Sequence, residues 1–139
     1  MNAVDTNILV YARDPRDATK QAIAASLIET VDDAVLIWQV ACEYLAATRK
    51  LEPLGYSRDQ AWEDIRDLRA VWPTLFPSWA LLERAEELLG RYSLSFWDAT
   101  VLAACVEGGI ERLYTEDFDA YPAVEGVEII NPFKKKSTG

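Results

Sequence analysis

Histidine is absent from the 139-residue chain. That excludes an imidazole general base, a Ser-His-Asp triad and a histidine-ligated zinc. Cysteine is scarce: Cys42 and Cys105 each lie in an apolar stretch, which fits small buried hydrophobes better than a disulfide. Positive charge is also short. Fourteen Lys and Arg stand against 23 Asp and Glu, a formal charge of −9, so bulk charge does not grip nucleic acid and any chemistry on it needs cations. No apolar run approaches the ~18 residues that span a bilayer, and no charged-then-apolar leader opens the sequence, which points to a cytoplasmic chain with no membrane partner.

What is present is the composition of a globular protein, half hydrophobic and about a quarter charged. The length suits one domain, expected over residues 1–133, followed by a basic tail at 134–139. A short strand opens the chain in "AVDTNILVYA". Asp14, Pro15 and Asp17 then signal a helix from about Pro15 to Thr30. "AVLIWQ" reads as a buried strand, and residues from Val40 to Lys50 as a helix. Ser57 and Gln60 form a capping-box pattern ahead of the stripe Ala61, Ile65, Leu68 and Trp72. "TLFP" is a short extended piece before a helix that Ser78 caps and near whose end Gly90 lies. "FWDATVLAACVEGG" reads as a buried helix, and "ERLYT" and "VEIIN" as the last strands. Strands alternating with helices imply a mostly parallel sheet with both faces covered.

In such sheets ligands bind beyond the carboxyl ends of the strands. Four acids fall there: Asp5 after the first strand, Glu43 in the first turn of the helix after the second, Asp98 at the start of the apolar helix and Asp117 after "RLYT". Each has a plainer reading. Asp5 and Asp117 suit turns, Glu43 suits a solvated helix face, and Asp98 completes a capping-box pattern with Ser95. Taken together they suggest more, because clustered carboxylates repel unless a cation compensates. Magnesium or manganese does so, and without histidine a water beside the cation is the natural nucleophile for phosphodiester hydrolysis.

The chain resembles PIN-domain nucleases, in particular the VapC-type toxins of toxin–antitoxin pairs. The resemblance rests on "VDTNILVYA", "ACEYLAAT", "SFWDATVLAACVEGG", "LYTEDF" and "VEIINPF", which cover the first fifty residues and the last forty or so in order. It implies a three-layer α/β/α sandwich and a Mg²⁺- or Mn²⁺-dependent endoribonuclease, with RNA as substrate, a cognate antitoxin and a homodimer. The family's four acidic positions map to Asp5, Glu43, Asp98 and Asp117 as catalytic residues and metal ligands. Its hydroxyl position maps to Thr115, for a metal-bound water or phosphate, and its polar pair to Thr6 and Asn7, with Asn7 orienting Asp5. Within "TEDFD", Glu116 and Asp119 compete with Asp117 for the last ligand position; the spacing from Thr115 favours Asp117.

Two other readings stand beside this one. A haloacid-dehalogenase-like phosphatase also starts with an aspartate after its first strand, but it needs a second two residues on, where Asn7 stands. A non-catalytic binding module of the same fold would present Trp62, Trp72 or Trp79 to a partner, unless these pack in the core.

Overall fold

A computed structural model describes residues 1–118 and 120–134. Asp119 and the tail beyond Lys134 lie outside the described residues. Strand β1 (Asn2–Val4) is wholly buried, and the apolar residues after "DTN" form a helix, α1 (Thr6–Tyr11), capped by the Asp5 carboxylate. Helix α2 (Ala18–Thr30) starts three residues later than expected because Asp17 is its cap. Asp14 does not cap it; its carboxylate is engaged with Arg16 instead. Strand β2 (Ala34–Ile37) passes straight into α3 (Trp38–Ala47) and then a 3-10 segment, Thr48–Leu54.

The local signals of the middle segment are realised. Ser57 and Gln60 close a reciprocal capping box on α4 (Arg58–Val71), β3 is Thr74–Leu75, and Ser78 caps α5 (Trp79–Arg91). Gly90 lies inside α5 and does not terminate it. Helix α6 (Phe96–Glu107) is buried from Ala99 to Cys105. Strand β4 (Arg112–Tyr114) is followed by β5 (Ala123–Val124) and β6 (Val127–Ile130). The β5–β6 hairpin was not expected from the sequence. Its two-residue loop, Glu125–Gly126, has positive φ at both positions (49° and 86°), the requirement of a type I′ turn.

The strand order is β3-β2-β1-β4-β6-β5, parallel except for β5. Helices α1 to α4 pack among themselves and α5 packs on α6, giving the three layers. Of the tryptophans expected in a core or an interface, Trp72 is buried, while Trp62 and Trp79 are exposed. Cys105 is buried as expected; Cys42 is exposed, because α3 turns that side outward.

Candidate active site

Register determines what meets at the carboxyl edge. Val4 pairs with Tyr114, so the next residues, Asp5 and Thr115, leave the sheet side by side. Strand β1 has β2 on one side and β4 on the other, so the chain's direction of winding switches at β1, the position where open parallel sheets bind ligands. A cleft of about 420 Å³ opens there, and Asp5, Thr6, Asn7, Glu43, Asp98 and Asp117 all line it.

Asp5 is only 5% exposed. Its Oδ1 accepts a hydrogen bond from the Thr6 backbone N–H and its Oδ2 one from the Thr115 hydroxyl, both at 2.8 Å. Burial pushes its pKa up from 3.8 to about 6 against these two hydrogen bonds, and the charges of Asp117 and Glu43 push the same way. Thr115, fully buried, also accepts from the Asp117 backbone N–H at 3.0 Å and from Asn7 Nδ2 at 3.3 Å. Asn7 Nδ2 further donates to Asp117 Oδ2 at 3.1 Å, and Asn7 Oδ1 accepts from the Glu116 N–H. Asn7 therefore orients Asp117 directly and reaches Asp5 only through Thr115.

Glu43 sits in the second turn of α3, since that helix begins at Trp38. Its two oxygens accept from the Thr6 hydroxyl (2.8 Å) and from Gln39 Nε2 (2.6 Å). Gln39 was not foreseen; it lies one helical turn before Glu43, the spacing at which side chains meet. Asp98 sits in the first turn of α6, where its N–H donates to Ser95 Oγ. The Ser95 half of the capping box forms, and the Asp98 carboxylate lines the cleft. Glu116 is drawn elsewhere, held by the Tyr11 hydroxyl and by Lys20 Nζ at 2.5 Å. Asp117 is thus the acid of "TED" that lines the cleft. Sequence reasoning also passed over Asp14, Arg16, Lys50 and Trp97 as lining residues.

The donor set is all oxygen, and a buried carboxylate beside two like charges favours a compensating hard cation. Among the described residues, no three acidic or thiol groups are already arranged to hold an ion. Glu43 and Asp117 are instead satisfied by Thr6, Gln39 and Asn7. The residues fit a divalent ion in donor chemistry and location, and binding one means exchanging some of these hydrogen bonds for ligation.

A family model described as PIN domain matches residues 3–125. The chain belongs to the PIN domain family. Within that family divalent metal ions are in general use, and the assignment removes the haloacid-dehalogenase-like alternative. Several solved structures share the PIN fold with this chain. A toxin–antitoxin complex from Klebsiella pneumoniae superposes with a TM-score of 0.72 at 20% identity, covering 97% of this chain and all of that one. VapC20 of Mycobacterium tuberculosis, described as a sarcin–ricin loop cleaving toxin, gives 0.69 at 22% identity over 90% of this chain and 98% of its own. VapBC2 from Rickettsia felis, bound to a promoter DNA fragment, gives 0.64 at 14% identity over 94% and 97%. A comparison with curated proteins finds no significant match.

Proposed function

We propose that this PIN domain is an endoribonuclease that hydrolyses RNA phosphodiester bonds with Mg²⁺ or Mn²⁺ and serves as the toxin of a toxin–antitoxin pair. The observation that carries the reading is the cleft itself, where carboxylates from four separate segments meet around a buried Asp5 in a chain without histidine. The fold neighbours from Klebsiella pneumoniae and Mycobacterium tuberculosis, a toxin–antitoxin complex and a cleaving toxin, support it.

Asp5, Glu43, Asp98 and Asp117 are the side chains that would hold the ion, which when bound offsets their repulsion and supplies Lewis acidity toward a phosphodiester. The chain's own residues do the positioning. Thr115 and the Thr6 N–H hold the two oxygens of Asp5 in place. Asn7 orients Asp117, while Thr6 and Gln39 fix Glu43. Val10, Ala47 and Val101 give the cleft apolar walls, which strengthen every electrostatic interaction inside it.

Two protein partners belong to the same reading. An antitoxin would silence the cleft by placing an Arg or Lys among the acids. A second copy would cover the neighbouring apolar groove of about 530 Å³, whose lining includes Ile37, Trp38, Leu75, Trp79 and Phe96. Trp79 is 80% exposed, and a face carrying both an apolar groove and exposed indoles suits a self-complementary contact. The compartment proposed is the cytoplasm; no helix among the described residues is long and apolar enough to cross a membrane. The test is incubation of the purified chain with RNA and Mn²⁺. Cleavage is expected to stop with EDTA and in Asp98→Asn; full activity in either would refute the reading.

A further inference from the structure

The four carboxylates do not account for the whole cleft. Asp14, Arg16, Lys50 and Trp97 line it as well. Asp14 is buried, and the Arg16 guanidinium holds it with two hydrogen bonds at 2.9 and 2.8 Å, while the Arg16 N–H adds a third at 3.0 Å. Asp14 therefore stays ionised and pins the guanidinium at the cleft. Lys50 is exposed on the 3-10 segment. One acid and two cations leave this corner with a charge of +1, in a chain whose total is −9.

A cleft that served only to bind a divalent cation would gain nothing from two further positive charges. One that must also receive a polyanion needs them, because its four other acids repel phosphate. Trp97 adds a second recognition chemistry. It is 64% exposed and stands where the cleft meets the neighbouring apolar groove, lining both. The adjacent Phe96, itself 48% exposed, meets the indole edge-on at 5.1 Å, and the Trp97 backbone carbonyl accepts hydrogen bonds from Gln39 and from the Thr100 hydroxyl, which hold the main chain from which the ring projects. An exposed indole beside a cleft suited to phosphates offers a stacking platform for a nucleobase, and only an unpaired strand presents a free base face to it.

Resting on the nuclease reading above, we propose that in this chain Arg16 and Lys50 grip an RNA phosphate that flanks the cleaved one and that the Trp97 indole stacks on an unpaired base of the same strand. The probes are a fluorescein-labelled single-stranded RNA and a duplex of equal length, both with phosphorothioate linkages to slow cleavage, read by anisotropy over a salt series with Mg²⁺ present. Lys50→Gln is expected to reduce the slope of log affinity against log salt by about 0.7, and Lys50→Arg to restore it. Trp97→Ala is expected to weaken single-strand binding about tenfold with duplex binding unchanged, and Trp97→Phe to recover most of the loss. On cleavable RNA both losses should appear in KM while kcat holds. Arg16 is left in place, since removing it strands the buried Asp14 carboxylate.

A parent that binds and cleaves RNA while Lys50→Gln keeps the full salt slope and Trp97→Ala keeps the single-strand preference would overturn this proposal and leave the nuclease reading intact. If Trp97→Ala turns a dimer into a monomer while each chain binds RNA as before, the indole belongs to the second copy and the stacking is overturned. A parent that neither binds nor cleaves RNA would defeat the nuclease reading, and this proposal with it.

Discussion

Replacing Asp5 with asparagine should stabilise the protein in metal-free buffer. The folded pKa of Asp5 is raised from 3.8 to about 6, chiefly by burial and further by Asp117 and Glu43. At ~1.4 kcal/mol per pH unit, ionising Asp5 in the native state costs about 3 kcal/mol. Asparagine removes that charge at nearly the same volume and caps a helix as well as aspartate does. The hydrogen bonds from the Thr115 hydroxyl and the Thr6 N–H, which favour the charged form, are already set against burial in that shift. The gain near pH 7.5 is therefore about 3 kcal/mol, roughly 9–12 °C in Tm for a domain of this size.

The pH dependence carries a definite sign. A carboxyl group with a raised pKa favours the folded state most when protonated, so its contribution is fully present below pH 3.8 and is lost as pH rises through about 6. The parent should therefore fall behind Asp5→Asn across that window, and the two should converge in acid. Thermal melts followed by circular dichroism, in EDTA from about pH 4 to pH 7.5, measure the offset. Added millimolar Mn²⁺ should then raise the parent's Tm by mass action and leave the variant's nearly unmoved. An Asp5→Asn protein that is less stable than the parent at every pH, with a constant offset, would mean that the acid is an ordinary helix cap, and the argument from charge crowding would fail.

Two glycines on neighbouring helices should respond in opposite directions. A Cβ on Gly108 would lie 2.6 Å from the Leu75 side chain and 2.9 Å from the Ala104 carbonyl oxygen, so Gly108→Ala should cost about 1–3 kcal/mol in urea unfolding. Gly90 has open space around it inside α5, and Gly90→Ala should gain about 0.5–1 kcal/mol in the same assay. Trp79→Glu, at a ring 80% exposed, should keep the native circular dichroism and change the light-scattering mass from dimer to monomer; a dimer that persists would remove this groove as the contact with a second copy.

Where structure follows from neighbours in sequence, the chain declared it. Ser57 with Gln60, Ser78 and Ser95 each announce a helix start because a cap joins a side chain to an N–H only three residues away. The four acids were likewise legible as strand-end or helix-start residues, since strand and helix boundaries are largely local. Other features depended on the assembled fold. Strand β5 is two residues long and exists by pairing with β6. The start of α2 moved to Ala18 because Asp14 holds Arg16 instead of capping a helix. The burial and raised pKa of Asp5 come from the pairing of β1 with β4, which sets Thr115 beside it across 110 positions of sequence. The cations Arg16 and Lys50 and the indole of Trp97 carry no mark of a shared site in the sequence, yet the parallel register and the helices crossing over it bring them to one cleft. A charge or a ring acquires its role from what lies within a few ångströms, and for these residues those neighbours are far away along the chain.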